Sequence, residues 1–144
     1  MQLLDVNVPE GSTWQINRPV EFTFSSEIDF GTVNPNTIEI RQLNGVGTVG
    51  EFFMDASDPK SLFWQPACPR EADYSDAGLL PGTAYRIFVR GANTSPVTLE
   101  SIDGVQLAEA RTIDFQTSGA SNLSELFFDP MQGPPVPLVR SAGG

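Results

Sequence analysis

At 144 residues the chain is long enough for one domain with its own core and too short for two full ones. Its 13 glycines, 12 prolines and 40% hydrophobic residues point to many short strands joined by turns rather than to long helices. A net charge of −10 with only 8 basic residues argues against nucleic acid and anionic membrane surfaces as partners, because neutralising phosphates takes clustered lysine and arginine. The absence of histidine removes the usual base of serine and cysteine triads and every imidazole metal site. No apolar run approaches the roughly 20 residues that cross a bilayer, so no membrane insertion is expected, and any signal peptide is expected to lie outside this sequence. Cys68 is the only cysteine, which rules out an internal disulfide and leaves stability to apolar packing.

In chain order, Leu4, Val6 and Val8 alternate as a first strand, which Pro9-Glu10-Gly11-Ser12 ends. Trp14 and Ile16 are placed to cap the core at one end of the molecule. Val20, Phe22 and Phe24 alternate with Glu21 and Thr23, the clearest period of two in the chain and a second core strand. Ile38 and Ile40 are expected inward, with Glu39 and Arg41 outward. Asn44-Gly45 signals a tight turn, after which Val46 to Met54 reads as the return strand, weakened by Gly47 and Gly50. Asp55 to Lys60 reads as a loop, followed by a strand carrying Leu62 and Trp64, the latter a core aromatic. Ala67 to Gly78 is a long loop, a kind of segment that often carries function.

Leu79-Leu80-Pro81-Gly82-Thr83-Ala84-Tyr85 combines a Pro-Gly turn with a strand on which Tyr85, Ile87 and Val89 share a face. A tyrosine so placed reads as a tyrosine corner, its ring in the core and its hydroxyl bonded to backbone upstream. Val97 and Leu99 suggest a short strand. Ile113, Phe115 and Thr117 form the face of the last one. Ser118 to Asn122 has linker composition, Leu126, Phe127 and Phe128 belong to an apolar knot, and Pro130 to Pro137 is too proline-rich for a helix or a central strand.

These motifs, in this order, resemble bacterial immunoglobulin-like domains of the S-layer-associated (SbsA-type) kind, which share their pattern with fibronectin type III sandwiches. The resemblance rests on Phe24-Ser25, Ile28-Asp29, Thr32-Val33, Thr37-Ile38, the Trp64-x-Pro66 strand end, the Leu-x-Pro-Gly-x-x-Tyr corner and the terminal Phe115-Gln116-Thr117, and it covers about Val6 to Ser118. It implies an all-β, immunoglobulin-like Greek-key sandwich of about seven strands in two antiparallel sheets. The domain is expected over residues 1–118, with 119–144 as a linker or extended tail packed on the domain or on a neighbouring chain. Tyr85, Trp64, Phe22, Phe24 and Phe115 are the expected structural residues, and Leu126, Phe127 and Phe128 an expected interface. The resemblance also implies a cell-surface or extracellular setting.

The residues themselves nominate little chemistry. Asp55, Asp58, Asp73, Asp76 and Asp103 fall in expected loops and are calcium candidates, although no run matches the twelve-residue calcium loop and unliganded surface acids are the simpler reading. No other cofactor and no catalytic residue is nominated. The expected role is therefore non-catalytic: a spacer, adhesion module or self-assembling subunit of a surface layer or fibre, whose partners are neighbouring domains or copies of itself. The alternative is a carbohydrate-binding or calcium-dependent adhesion module of an exported enzyme, contacting cell-surface polysaccharide.

Overall fold

The computed structural model describes residues 1–67 and 77–119. Seven strands are present: β1 (Leu3–Val6), β2 (Val20–Phe24), β3 (Ile38–Gln42), β4 (Gly50–Asp55), β5 (Asp58–Pro66), β6 (Ala84–Val89) and β7 (Arg111–Gln116). They form two antiparallel sheets, four-stranded in the order β1-β2-β5-β4 and three-stranded in the order β3-β6-β7. That is the strand order of constant-type immunoglobulin sandwiches. A single 3-10 turn, Phe30–Thr32, is the only helical element among the described residues.

The core lies where period-two faces meet. Val20, Phe22 and Phe24 from β2, Leu62 and Trp64 from β5, Ile38 and Ile40 from β3, Tyr85, Ile87 and Val89 from β6, and Ile113 and Phe115 from β7 are all buried. The Tyr85 and Phe115 rings stack across β6 and β7, 5.5 Å apart at 20°. The Leu80 N–H donates to the Tyr85 hydroxyl oxygen at 2.6 Å, so the corner expected from the sequence is formed. At the end of the sandwich Trp14 and Ile16 are buried, the Trp14 indole donates to Arg18 O at 3.0 Å, and the Arg18 guanidinium lies over the ring.

Five expectations need correction. Leu4 is 57% exposed, because a register break between Leu3 and Asp5 turns it out of the alternation. The chain after Asn44-Gly45 pairs back on β3 only briefly, through Gln42 N to Val46 O and an isolated Arg41–Gly47 bridge. It then crosses to the other sheet, where Gly50–Asp55 pairs with β5. Gly50 does not merely weaken that strand: a Cβ there would sit 2.6 Å from the Trp64 ring, so the close approach requires glycine. Asp55 to Lys60 is not a loop but a tight hairpin, with β5 starting at Asp58. Val97 and Leu99 form no strand; Leu99 is buried and Val97 exposed, in a segment held by the Ile28–Ser101 and Glu100–Gln106 bridges.

One contact has no mark in the alternation of the sequence. After the Pro9 turn, residues 11–14 leave the four-stranded sheet and run along β7, with Gly11 N bonded to Asp114 O, Trp14 N to Gln116 O and Gln116 N to Ser12 O. Thr13 and Gln116 pair in parallel. This short stretch covers the free edge of β7, a place where an unpaired ladder invites unwanted strand addition.

Candidate interaction faces

The nominated acids are mostly consumed by turns. Asp55 Oδ1 accepts from the Ser57 N–H at 2.9 Å and from the Ser57 hydroxyl at 2.8 Å. Asp58 Oδ1 accepts from the Lys60 N–H at 3.0 Å, and its Oδ2 accepts from the Ser61 hydroxyl at 3.1 Å. These are aspartates shaping a hairpin by bonding backbone two residues on. Asp103 lies in the Ser101–Gly104 turn, which Gly104 closes with φ of 82° and an N–H bonded to Ser101 O. Among the described residues no three His, Cys, Asp or Glu side chains converge as a metal site. Asp73, Asp76, Leu126, Phe127 and Phe128 lie outside the described residues, as does Cys68.

Where the strands do collect charge is on the two outer faces. On the four-stranded sheet, register places Asp5 beside Thr23, Glu21 beside Phe63, Phe63 beside Phe53, and Glu51 beside Gln65. Because Phe22, Leu62 and Trp64 point into the core, these intervening residues point away from it. Asp55 and Asp58 are paired at the hairpin end. Partial burial, then the charges of Asp55, Asp5 and Asp58, push the Glu21 carboxyl above its ordinary value, so this face concentrates negative charge. Two half-buried phenylalanines, Phe53 and Phe63, lie side by side within it.

The three-stranded sheet carries charge of both signs, largely paired on its own surface. Its outward positions form two rows across the strands, Glu39–Phe88–Thr112 and Arg41–Arg86–Asp114. Arg86 grips Asp114 with two bonds of 2.7 and 3.0 Å, and Glu39 takes Arg41 at 3.1 Å and Arg90 at 2.9 Å. Hydrogen bonding to Arg86 pulls the Asp114 carboxyl below its ordinary value. Arg90 also lies 5.6 Å from the Phe88 ring centre, and its Nε is buried without a partner. Glu10 adds a third carboxylate, its Oε2 accepting from the Asp114 N–H at 2.8 Å and its charge acting on Arg86, so three arginines meet three carboxylates and the face balances its own charge in a chain that is strongly negative. A shallow depression of about 400 Å³ on it is lined by Arg41, Leu43, Arg86, Phe88 and Thr112, among others. The signal was present in the sequence as polar letters between core letters, but only strand pairing brings Arg41 next to Arg86.

A third feature is the groove of about 460 Å³ between the edge strands β3 and β4, with Phe30, Pro35, Ile38, Phe52 and Trp64 in its lining. No helix among the described residues is long and apolar enough to cross a membrane.

No family model matches the chain, and no curated protein matches its sequence. Among solved structures it is similar to CopC from Methylosinus trichosporium OB3b, with a TM-score of 0.54 and 17% identity over 83% of this chain and 95% of that one. It is also similar to PcoC, a copper resistance protein from Escherichia coli, with a TM-score of 0.50 and 16% identity over 79% of this chain and 99% of that one. The S-layer protein SbsC matches at a TM-score of 0.49 and 16% identity over 81% of this chain and 13% of that one, too faint a likeness to carry weight. At such identities a shared fold is what the likeness shows, and it agrees with the strand order: the chain is an immunoglobulin-like β-sandwich.

Proposed function

We propose that the chain is a non-catalytic structural module of an extracellular or cell-surface protein, a spacer or a subunit that meets neighbouring domains and copies of itself, as in the S-layer-associated domains its motifs resemble. One observation carries this reading. The hairpin acids Asp55 and Asp58 are spent on turns, whereas the charge left over is spread across two broad sheet faces rather than gathered in a cleft. Flat faces and edge strands meet other proteins; they do not surround a small substrate. The long antiparallel pairing of β4 with β5 and of β6 with β7 gives the module a ladder of hydrogen bonds suited to bearing load.

The test is sizing by sedimentation velocity, for the full chain and for a version lacking residues 121–144. The expected result is concentration-dependent association, weakened when the segment is removed. Monomers throughout, in both versions, would remove the self-assembly part of the reading. For the calcium-dependent alternative, a flat calorimetric titration with calcium would dispose of it.

A further inference from the structure

The two sheets end in four edge strands, and three of them are dealt with inside the described chain. β7 is covered by residues 11–14, and β1 is four residues long with a register break. The near half of β3 is taken by the Gln42 N–H bonded to Val46 O and the Thr48 hydroxyl donating to Ile40 O at 2.6 Å. β4 has no such cover among the described residues. The Ala67 N–H bonds to Val49 O, which sets the alternation along the ladder of β4 and β5. Glu51 and Phe53 exchange bonds with Gln65 and Phe63, while Gly50 and Phe52 turn their main-chain groups to the open side. That side is the groove of about 460 Å³, where Phe30, Phe52 and Trp64 supply aromatic surface. Phe30 is 44% exposed there, and exposed Val46 and Val49 flank the lining residues Gly47, Thr48 and Gly50. An edge that offers unpaired main-chain groups beside an apolar slot is the arrangement that accepts an added strand.

We propose that residues 126–128 of this chain lie along β4 as an added strand, with Leu126 and Phe128 filling the groove, and that copies associate by exchanging this segment. The place where the described chain ends gives the reach. Gly119 follows Ser118, whose carbonyl accepts from the Gly82 N–H at 2.8 Å, at the end of the sandwich where Leu43 N meets Ala84 O and Ala67 N meets Val49 O. From there the groove lies about two strand spacings away, roughly 10 Å. The seven steps from Gly119 to Leu126 extend to about 23–25 Å. Alternation supplies the fit: Ser124, Leu126 and Phe128 interleave with Glu125, Phe127 and Asp129, so a strand here puts an uncharged apolar side toward the groove and both acids on the other. Pro130 then ends the pairing, having no N–H to give. Entering from the Gly50 end, the segment points the same way as β4 and pairs with it in parallel. A segment this near its own groove closes it first. Exchange between copies is a low-cost step from there, and it supplies the association that removal of residues 121–144 weakens. The exchange rests on the reading of the chain as a structural module that meets its own copies; the docking does not.

The test is hydrogen exchange followed residue by residue by NMR on the full chain, beside two full-length variants, Leu126→Asp/Phe128→Asp and Phe127→Asp. Thermal melts check that both keep the sandwich. In the parent the Phe52 amide is expected to exchange slowly, and in the double variant at least about tenfold faster, while the Phe53 amide, bonded to Phe63 on β5, keeps its rate. Phe127→Asp, on the solvent side of the added strand, is expected to stay near the parent. A Phe52 amide as fast in the parent as in the double variant overturns the docking. Equal losses from the two variants overturn it too, since the contact would then not depend on the apolar side of the segment. Sedimentation velocity on the same samples separates the docking from the self-assembly reading. A slow Phe52 amide in a chain that stays monomeric at every concentration keeps the docking and removes self-assembly; association with a fast one keeps self-assembly and overturns the docking.

Discussion

Replacing Tyr85 with phenylalanine separates the two jobs of that residue. The ring, 1% exposed and stacked on Phe115, stays in place; only the oxygen that accepts from the Leu80 N–H at 2.6 Å is lost. A buried donor stripped of its acceptor costs about 1–3 kcal/mol, and because this bond is only partly buried the lower part of that range applies, about 1–2 kcal/mol. For a domain near this size each kcal/mol moves the melting temperature by about 2–4 °C, so a fall of roughly 2–8 °C is expected. Urea unfolding followed by fluorescence suits the measurement, since Trp14 and Trp64 are both buried, and the m value should not change. Burial pushes the phenol above its ordinary value of 10.0, an effect partly offset by the bonds from Leu80 and Thr83. The folded state thus holds the phenolic proton longer than the unfolded one. The corresponding stability is intact below the unfolded value of about 10 and is lost as pH rises through the folded one. The parent should therefore lose stability above that point, and the phenylalanine variant should lose less. A variant within about 0.3 kcal/mol of the parent, with the same alkaline slope, would refute the idea that the hydroxyl holds the corner.

Phe22→Ala, at a fully buried side chain in the middle of β2, should cost about 3–5 kcal/mol in the same urea assay. Gly50→Ala should cost about 1–3 kcal/mol, because its Cβ would lie 2.6 Å from Trp64 ring carbons and 2.7 Å from Gln65 O. Gly47→Ala, where nothing lies within 4 Å, should be neutral or slightly stabilising, and equal losses for the two would contradict the close-approach argument. Glu21→Gln tests the acidic face. The raised carboxyl makes the folded state disfavour the ionised form, so the parent's stability falls as pH rises through the folded value. The glutamine variant should melt higher than the parent at pH 7, and the gap should close below the ordinary glutamate value of about 4.3; a gap that persists in acid would assign the effect to packing instead.

Strands were legible where alternation ran unbroken. Val20-Phe22-Phe24, Tyr85-Ile87-Val89 and Ile113-Phe115-Thr117 all bury as their spacing requires. Alternation names the face of a strand but not its neighbour, which is why Gly50–Asp55 read as the partner of β3 when it belongs beside β5. Leu4 misled for a different reason: one extra residue in the ladder inverts the pattern, and nothing in the letters marks the break. Asp55 and Asp58 read as loop because aspartate is rare in strands, yet the same carboxylates that suggested calcium are what tighten the hairpin enough for the strands to meet there.

Net charge hid the most from the sequence. A total of −10 is a sum over the whole surface, whereas docking responds to what one side presents. Sheet geometry sorts neighbours in sequence onto opposite faces, so Glu39 and Arg41 share a side with Arg86 and Arg90, and Glu21 shares one with Glu51. A chain short of basic residues has put three of its eight on a single face of its smaller sheet. Each of the three is met there by a carboxylate, Arg41 and Arg90 by Glu39 and Arg86 by Asp114. Composition reports only the total; it takes strand register to show that the smaller sheet balances its own arginines while the larger one leaves Asp5, Glu21 and Glu51 without a basic partner among the described residues.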